Sequence, residues 1–398
     1  MKIAALFDMF GPYHVARINA LGKECQTLGI EVAARSSIYQ WDRVDTATSF
    51  ERRTLFDVSS SSQLTFSTIK THLAAQLDAF APEAVLVPGW ASKAAFAALR
   101  WSLEKKIPAI LMSESTAGDA DRLLWKEFLK RQVVQCFSAA LVGGEPQRQY
   151  LASLGMAADA ISLGYNAIDN EYFEAGASRA REKAETLRAK LGLPPRYFLA
   201  SARFIEIKNL IGLLDAYVLF RRRRPDSSTK LVLLGDGPLR AAIESKIAEL
   251  GLGEQVVLPG FKQYGELPSF YGLAQAFIHV SRIEPWGLVV NEAMAAGLPV
   301  IVSRACGCAK NLVIDGGNGY LVDHDDLAGI AASLERIDVA SSDEQAALGR
   351  KSREIIKQYA PEQFGKGAIR AAEAGLCHGP AANGLARRIF LANISKIV

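Results

Sequence analysis

The sequence predicts an α/β protein with two domains, each built on parallel strands that alternate with helices. Short apolar runs of strand length recur along the 398 residues, and segments of helical length separate them. A chain of this length can form two domains of common size, each with its own core. The charged segment 178–191 has a helical pattern, and Gly192-Leu193-Pro194-Pro195 ends it near the middle of the chain. We expect the linker across this stretch.

Composition and charge are typical of a soluble globular protein in the cytoplasm. Apolar residues make up 49% and charged residues 22%, and 46 basic against 42 acidic residues give a net charge of +4. This excess is too small to predict nucleic-acid binding. Five cysteines without framework spacing indicate a reducing compartment, and we interpret Cys306 and Cys308 as structural. No apolar run approaches the roughly 20 residues that span a bilayer, and the first residues are better interpreted as a strand than as a signal peptide.

The first half of the chain carries the pattern of strands followed by helices. We expect helices over 15–28 and 92–103, and recognition loops in the polar region 36–62. The turn Gly11-Pro12-Tyr13-His14 follows the first strand, and such a turn lies at the ligand-binding edge of an open parallel sheet. His14 is equally well explained as a ligand contact or as a surface histidine. Apolar runs predict strands at 3–7, 30–34, 84–87, 109–112 and 139–142.

The segment 122–134 (RLLWKEFLKRQVV) is amphipathic, with apolar and basic side chains on different faces. This composition occurs on helices that lie on anionic membrane surfaces. It occurs more often on helices that face a core and expose a basic side to water. We favour the core-facing helix and keep peripheral membrane contact as the alternative.

The second half repeats the strand and helix pattern, and its motifs follow strands. Arg203 and Lys208 come directly after the predicted strand 197–202. A planar guanidinium can grip two phosphate oxygens while an ammonium adds a point charge. Gly235-Asp236-Gly237-Pro238 follows another strand but lacks the third glycine of a dinucleotide fingerprint. Further strands are predicted at 231–234, 256–261, 277–280 and 320–322.

The stretch Ser281 to Gly297 (SRIEPWGLVVNEAMAAG) carries two glutamates, Glu284 in a loop and Glu292 inside a predicted helix over 288–296. No Ser, Thr, Asp or Asn caps the start of this helix, so its first N–H groups form an anion site. Carboxylates beside such a site can hold hydroxyls while the backbone holds phosphate, and sugar nucleotides carry both groups. An ordinary strand, loop and helix with two solvated glutamates is the alternative.

This spacing of two glutamates, followed by AMAAGLPVIVS, resembles the EX7E region of retaining glycosyltransferases of family 4. The resemblance implies the GT-B fold, with two Rossmann-like domains whose parallel sheets face a central cleft. We expect an acceptor-binding domain at 1–175 and a donor-binding domain at 176–379, with the tail 380–398 packing back on the first. The Arg203–Lys208 segment resembles the family's diphosphate clamp.

The resemblance also implies roles for individual residues. Glu284 would hold hydroxyls of the donor sugar and act with Arg203 and Lys208 in catalysis, and Glu292 would hold the ribose. A bound acceptor or phosphate would meet the loop of Gly11 and His14. Further donor contacts are expected from Gly287, Leu288, Val289, Gly235, Gly260 and Phe261.

Two positions depart from the family pattern. The first loop has only Gly11 where relatives are often richer in glycine, and Ser113-Glu114-Ser115 stands where many relatives place a histidine near the reacting sugar. Glu114 is a candidate replacement, although a turn residue explains it as well.

The predicted function is transfer of a sugar, with retention, from a nucleotide-diphosphate sugar to a glycan, glycolipid or small-molecule acceptor. We expect no cofactor and no metal: Asp323-His324-Asp325 has the DxD form but falls at a predicted helix start. The alternatives are a sugar-nucleotide epimerase, a phosphorylase and a non-catalytic sugar-nucleotide-binding protein. The turn at Phe10-Gly11-Pro12-Tyr13 lacks the glycines that a nicotinamide oxidoreductase needs. The sequence does not specify the base, the sugar or the acceptor.

Overall fold

The computed structural model describes residues 1–35, 41–42, 44, 48–119 and 123–381, and it divides the chain into two compact units. Unit 1 contains Met1–Ile168 and the segment that begins at Ala360, and unit 2 contains Asp169–Tyr359. The first crossing between the units therefore lies a few residues before the expected boundary at 175/176. The end of the expected second domain belongs to unit 1.

Unit 1 is built on a seven-stranded sheet in the order β3-β2-β1-β4-β5-β6-β7, and every pair of neighbours is parallel. The central strands are buried along their length because helices cover both faces of such a sheet. The strands are β1 (Lys2–Phe7), β2 (Gln26–Ala33), β3 (Glu51–Phe56), β4 (Ala84–Pro88), β5 (Ala109–Ser113), β6 (Ala139–Val142) and β7 (Ile161–Leu163). The helices are α1 (Pro12–Glu24), α2 (Phe66–Phe80), α3 (Lys93–Lys105), α4 (Leu124–Val134) and α5 (Glu145–Ser153).

Unit 2 is built on a six-stranded parallel sheet in the order β10-β9-β8-β11-β12-β13. Its strands are β8 (Tyr197–Ser201), β9 (Lys230–Leu234), β10 (Val256–Gly260), β11 (Ala276–His279), β12 (Val300–Ser303) and β13 (Gly319–Val322). Its helices are α6 (Asn170–Glu182), α7 (Ala184–Leu191), α8 (Leu210–Arg223), α9 (Arg240–Glu249), α10 (Leu267–Leu273), α11 (Leu288–Ala295), α12 (Ala309–Leu312), α13 (Leu327–Val339) and α14 (Ser342–Ile356). The predicted helix over 288–296 is confirmed to within one residue.

Each sheet reverses its strand order once, between β1 and β4 in unit 1 and between β8 and β11 in unit 2. Two strands at such a point send their following loops in opposite directions, which opens a crevice at their carboxyl ends. The loops after β1, β8 and β11 carry the residues that the sequence analysis singles out. The topology therefore predicts one ligand site in each unit.

The last helix of the described chain, α15 (Pro361–His378), packs in unit 1 and corrects the expected domain boundary. Small residues allow its close approach: a Cβ added to Gly367 would lie 2.3 Å from the Leu163 carbonyl oxygen, and one on Gly365 would lie 3.1 Å from that of Ala20. Phe364 is fully buried in the core of unit 1. The tail that was expected to make this crossing lies outside the described residues from 382 onward.

Two local expectations are wrong in unit 1. The predicted helix over 15–28 ends at Glu24, because Cys25 is extended and β2 begins at Gln26. The region 36–62 contains β3, whose polar sequence ERRTLF concealed an edge strand. Part of that region, 36–40, 43 and 45–47, lies outside the described residues. The Arg52 side chain of β3 pairs with the buried Glu31 of β2, 2.9 Å apart, which explains a charge on a strand.

The expectation of a core-facing helix over 122–134 is also wrong for its first two turns. The Leu124 side chain is 90% exposed, Trp125 is 59% exposed and Phe128 is 60% exposed. Only Val133 and Val134 of α4 are buried. Among the helices in the described residues, none is both long and apolar enough to cross a membrane.

Candidate active site

The strand reversal in unit 2 brings Lys208 and Glu284 together. Lys208 ends a turn of 3-10 helix after β8, and Glu284 lies in the loop after β11. The Lys208 ammonium donates to Glu284 Oε2, and the two side chains are only 16% and 12% exposed. Two residues that are 76 positions apart in sequence thus form one partly buried ion pair at the carboxyl edge of the sheet.

A third side chain, His279, meets the same carboxylate oxygen. His279 is the last residue of β11, and its Nε2 lies 2.8 Å from Glu284 Oε2 and 3.2 Å from Ser281 Oγ. The histidine is only 4% exposed. His279 is a functional candidate that was not predicted from the sequence, although a polar side chain at the end of an apolar strand, five positions before Glu284, is a usable signal.

The environment of Glu284 keeps it ionised. Burial alone would raise the pKa of this carboxyl, but the hydrogen bond and charge of His279, together with Lys208, outweigh burial and lower the pKa to about 2. An ionised carboxylate can only accept hydrogen bonds. The His279 Nε2–H therefore donates to Glu284 at neutral pH.

Neighbouring loops fix the backbone around Glu284. The Gly307 N–H donates to the Glu284 carbonyl oxygen at 2.8 Å, and Cys306 forms an isolated bridge with Glu284. Trp286 is buried, and its indole N–H donates to Asn291 Oδ1 at 2.9 Å. Cys306 is buried, which agrees with a structural role. The loop after β11 is therefore held from both sides.

Asn209 fixes the turn that carries Lys208. Its φ of 56° places it in the left-handed region, which asparagine tolerates better than most residues. The buried side-chain amide donates to the carbonyl oxygens of Val280, at 3.2 Å, and His324, at 2.7 Å. The Arg282 N–H donates to the Ile207 carbonyl oxygen at 2.8 Å. The loops after β8 and β11 are thus tied together beside the ion pair.

Helix α11 begins directly beside Glu284, and Gly287 is its N-cap residue. The φ of Gly287 is 105°, and no side chain caps the helix. A Cβ at this position would lie 3.3 Å from Glu284 Cγ and 3.5 Å from His279 Cδ2, which leaves little room for any other residue. The following residues, Leu288 and Val289, start the helix, where N–H groups have no intrahelical partner.

Glu292 has a different environment from Glu284. It is 1% exposed inside α11, and the Tyr271 hydroxyl donates to its Oε2 at 2.5 Å. Burial raises the pKa of Tyr271, and the charge of Glu292 raises it further, so that hydroxyl stays a donor. Burial and the charge of Glu292 also raise the pKa of Tyr264, whose ring stacks on that of Tyr172 with centroids 4.7 Å apart. The second glutamate therefore lies among tyrosines.

The other predicted donor residues lie at the same edge of the sheet. Arg203 follows β8, is exposed, and makes no ion pair within the described ranges. Gly235 follows β9 with a φ of 130°, and a Cβ there would lie 2.0 Å from the Ala202 carbonyl oxygen. The Gly235 N–H donates to the Gly260 carbonyl oxygen at 3.1 Å, and the next residue, Phe261, is 37% exposed.

The two predicted residues of unit 1 are linked to each other. Gly11 is the N-cap of α1, and its N–H donates to His14 Nδ1 at 3.1 Å. The Phe10 N–H donates to the buried Glu31 at 2.9 Å, which holds the turn against β2. Glu114 follows β5 and is partly exposed.

The segment Asp323-His324-Asp325 follows β13. Asp323 lies 3.7 Å from the Arg304 guanidinium, and the His324 carbonyl oxygen accepts from Asn209. In the part of the chain that the structure describes, no three His, Cys, Asp or Glu side chains are grouped so that they could hold a metal ion.

Comparison with known proteins identifies the family of this site. Residues 183–363 match the family model "Glycosyl transferases group 1". This segment contains the Lys208–Glu284 pair, His279 and the start of α11. The matched segment belongs to the group 1 glycosyl transferases. The predicted glycosyltransferase family is thereby confirmed for this segment at the level of group 1.

Curated relatives agree with this family. The chain is 29% identical over 192 residues to the alpha-monoglucosyldiacylglycerol synthase of Acholeplasma laidlawii, and this alignment covers 48% of this chain and 46% of the relative. It is 31% identical over 175 residues to the GDP-mannose-dependent alpha-(1-6)-phosphatidylinositol monomannoside mannosyltransferase of Mycolicibacterium smegmatis, 42% of this chain and 45% of the relative. The alignments thus span about half the length of these curated relatives.

Solved structures show the same fold over nearly the whole chain. The structure of Anabaena HepE in complex with UDP and glucose has a TM-score of 0.68 at 18% identity, and the match covers 93% of this chain and 98% of HepE. The two parallel-sheet units form a GT-B fold, as the sequence predicts.

Proposed function

We propose that this protein is a retaining glycosyltransferase that moves a sugar from a nucleotide-diphosphate sugar to a glycan or glycolipid acceptor. The observation that carries the proposal is the Lys208–Glu284–His279 cluster at the strand reversal of a group 1 domain. It combines a carboxylate for sugar hydroxyls with a cation for phosphate, beside an uncapped helix start. Relatives whose names describe glycolipid synthesis, and a structural neighbour with bound UDP and glucose, support the substrate class.

In this proposal each part of the nucleotide sugar contacts a different set of residues. The exposed Arg203 and Lys208 bind the diphosphate, and the N–H groups of Leu288 and Val289 bind its oxygens at the start of α11. Both cations also stabilise the negative charge that develops on the leaving diphosphate. Glu284 Oε1 takes sugar hydroxyls because Oε2 is occupied. The ribose hydroxyls donate to the carboxylate of Glu292, which also accepts a hydrogen bond from the Tyr271 hydroxyl.

The state of Glu284 favours departure and attack on the same face of the sugar. A carboxylate with a pKa of about 2 is a weak base, and two donors already occupy one of its oxygens. Such a group is a poor nucleophile and a poor proton acceptor. We propose that the leaving diphosphate itself helps to take the proton of the acceptor hydroxyl. The step needs no metal, because Arg203 and Lys208 supply the positive charge.

A donor screen tests the function. The full-length protein is mixed with UDP-, GDP- and ADP-sugars, and thermal stabilisation and slow donor hydrolysis are measured with and without a chelator. We expect one donor to stabilise the fold and its hydrolysis to survive chelation. Glu284→Gln should lose hydrolysis, and the matched exposed control Glu254→Gln should retain it.

Several outcomes would contradict the proposal. Failure of every nucleotide sugar to bind would exclude glycosyl transfer from these donors. Turnover that requires free phosphate would indicate a phosphorylase, and an epimerised donor without acceptor would indicate an epimerase. Binding without any hydrolysis or transfer would indicate a pure binding protein. Activity that disappears with chelator and returns with magnesium would overturn metal independence.

We further propose that α4 binds the surface of an anionic membrane. Its exposed side chains Leu124, Trp125 and Phe128 form an apolar patch on one helix. Lys126, Lys130 and Arg131 on the same helix outnumber its one acidic residue, Glu127, and attract anionic headgroups. Burying one large apolar side chain in the interface contributes roughly 1.5–3 kcal/mol.

Vesicle co-sedimentation tests the membrane proposal. Binding to vesicles with phosphatidylglycerol should exceed binding to phosphatidylcholine alone and should weaken with salt. The double variant Leu124→Ser/Phe128→Ser should lose binding by about tenfold or more. Leu376→Ser, which changes an exposed leucine of α15, is the matched control. Equal binding by the double variant and the control would exclude α4 as the contact.

A further inference from the structure

The last residue of unit 2, Tyr359, packs against the loop that carries Glu284. Its ring centroid lies 5.6 Å from that of Trp286, and the two ring planes are inclined by 41°. Trp286 is 1% exposed and stands in the sequence between Glu284 and Gly287, the N-cap residue of α11. Aromatic pairs at this separation contribute more stability than the area that they bury. Tyr359 therefore supports the Glu284 loop directly.

The segment after β12, which also holds this loop, lies beside the same tyrosine. The Cys308 N–H donates to the Trp286 carbonyl oxygen at 3.2 Å, and α12 begins at the next residue. Burial raises the pKa of Tyr359, and the side chains of Asn311 in α12 and Cys308 also act on that pKa, so both lie near the hydroxyl. One side chain thus adjoins both segments that fix the backbone around Glu284.

The turn that carries Tyr359 is itself held in place. Lys357–Tyr359 is a turn of 3-10 helix that follows α14 directly. Ile356, the last residue of α14, is 2% exposed, and its carbonyl oxygen accepts from the Asn170 side-chain amide at 2.8 Å. Asn170 is the first residue of α6, at the point where the chain enters unit 2. The segments through which the chain enters and leaves unit 2 are thus hydrogen-bonded to each other, which fixes the base of the tyrosine.

We propose that Tyr359 is a positioning residue of the active site, which acts through Trp286 to hold Glu284 in the geometry that the reaction needs. Tyr359 itself touches neither the nucleotide sugar nor the acceptor. This inference rests on the proposed glycosyl transfer for the role of Glu284, whereas the contact between Tyr359 and Trp286 does not depend on it. A displacement of about 1 Å at a reacting group can slow a reaction by about a hundredfold, so a support outside the site can control turnover.

Three substitutions separate the ring, the hydroxyl and the general effect of losing a tyrosine. Tyr359→Phe keeps the ring contact with Trp286 and removes only the hydroxyl. Tyr359→Leu keeps an apolar side chain but removes the ring. Tyr320→Leu is the matched control, because it changes another partly buried tyrosine of unit 2, whose ring centroid lies 5.3 Å from the Arg336 guanidinium.

The first readout is hydrogen exchange at the indole N–H of Trp286, which donates to Asn291 Oδ1 in the protein interior. It needs neither a nucleotide sugar nor turnover. The chain has five tryptophans, and the indole resonance of Trp286 is the one that disappears from the NMR spectrum of Trp286→Phe. An aromatic pair changes an equilibrium by about two- to tenfold, so exchange in Tyr359→Leu should be about fivefold faster than in wild type. Tyr359→Phe and Tyr320→Leu should exchange like wild type.

The second readout is turnover, measured beside nucleotide affinity on the full-length protein. UDP, GDP and ADP are titrated in turn, and hydrolysis of the nucleotide sugar that matches the bound nucleotide gives kcat. In Tyr359→Leu kcat should fall about fivefold, because the support of Glu284 is lost. Nucleotide affinity should change by less than about twofold, because Arg203 and Lys208 lie in the loop after β8. Tyr359→Phe should keep the kcat of wild type.

Several results would overturn the positioning role. Equal Trp286 exchange in Tyr359→Leu and wild type would do so, as would a loss of kcat in Tyr320→Leu as large as that in Tyr359→Leu. A Tyr359→Leu protein that is unfolded at room temperature would show that Tyr359 stabilises unit 2 as a whole and has no local role. Failure of wild type to bind UDP, GDP or ADP would overturn the proposed function instead, while faster exchange in Tyr359→Leu would still support the contact through Trp286.

Discussion

The two strand reversals of this molecule occupy equivalent places in two similar sheets but present opposite chemistry. In unit 2 Lys208, which follows β8, and His279, which ends β11, both contact Glu284 Oε2, so this carboxylate is paired. In unit 1 the first turns of α1, which follow β1, carry His14, whose Nδ1 accepts from the Gly11 N–H, and the buried Arg17, whose Nη2 has no hydrogen-bond partner in the described ranges. The topology fixes where a site lies, and the loop residues decide what it binds.

The Glu284 carboxylate of unit 2 is already held in place by its neighbours, whereas in unit 1 one buried guanidinium nitrogen has no hydrogen-bond partner among the described residues. A carboxylate held by two donors needs no reorganisation when charge develops nearby, which is the arrangement that stabilises a transition state. We expect groups of unit 1 to contribute to acceptor binding and selection instead. Chemistry should therefore respond most to changes in unit 2, and acceptor choice to changes in unit 1.

The largest expected effect separates sugar from phosphate within unit 2. Glu284→Gln should reduce kcat by about a hundredfold, because a charge-assisted hydrogen bond contributes roughly 1.5–3 kcal/mol and more than one is lost. Its affinity for free nucleoside diphosphate should stay equal or rise, since Lys208 is released from its partner. Arg203→Ala and Lys208→Ala should weaken that affinity about ten- to a hundredfold.

Titration calorimetry with the nucleoside diphosphate, beside turnover with the full donor, measures both halves of this prediction. Glu254→Gln is the matched control for the charge change. If Glu284→Gln loses the free nucleotide as severely as Arg203→Ala, the assignment of separate sugar and phosphate subsites is wrong.

Much of this site could be predicted from sequence because its parts are local. Strand, loop and uncapped helix lie within one continuous segment, so the placement of Glu284, Gly287 and the start of α11 follows from the pattern, whereas their expected roles rest on the resemblance. His279 was missed because its contact with Glu284 depends on how the loop folds back beside the end of β11. Arg17 was missed because a charged residue on an amphipathic helix is normally solvated, and only the fold shows that it is buried.

Edge and crossing elements were predicted least well, for the same reason. β3 has few apolar residues because Glu31 satisfies its Arg52, a pairing between neighbouring strands that no local pattern reveals. Helix α15 was assigned to the wrong domain because sequence order suggests continuity with unit 2. The glycines of α15 allow it to pack closely in unit 1, but the local sequence does not indicate which unit they contact.

The second prediction concerns acid stability and should be specific to unit 2. Glu284 has a folded pKa of about 2 and an ordinary value of 4.5, so its pairing stabilises the fold above pH 4.5 and is lost as the pH falls toward 2. The contribution at neutral pH is about 3 kcal/mol. Wild type and Glu284→Gln should differ in free energy of unfolding at neutral pH and converge in acid.

Chemical unfolding at several pH values measures this difference, with Glu254→Gln as the control that should follow wild type throughout. A Glu284→Gln variant that remained equally destabilised at pH 2 would show that the loss arises from packing and not from the charge.

The third prediction tests whether His279 positions Glu284. His279→Leu keeps an apolar volume in the buried site but removes the donor, and it should reduce kcat about tenfold with little change in KM. His279→Gln can place an N–H near the former Nε2 and should restore part of the activity. A structural role alone would lower stability equally in both variants without this difference in kcat. Steady-state kinetics and thermal unfolding of both variants decide between the two roles.

The smallest expected effect is the loss of stability in Gly11→Ala. It compares the turn after β1 in unit 1 with the turn after β9 in unit 2. Gly11 has a φ of −84°, which any residue can adopt, and a Cβ there would meet only side-chain atoms, 3.7 Å away at His14 Nδ1 and 3.9 Å away at Trp41. Gly11→Ala should therefore cost about 1 kcal/mol or less. Gly235→Ala is the strained control, because its φ of 130° and a contact of 2.0 Å to the Ala202 carbonyl oxygen force the backbone to move. Thermal unfolding of the two variants compares them directly, and a loss at Gly11 as large as that at Gly235 would mean that the first loop is as tightly built as the donor edge.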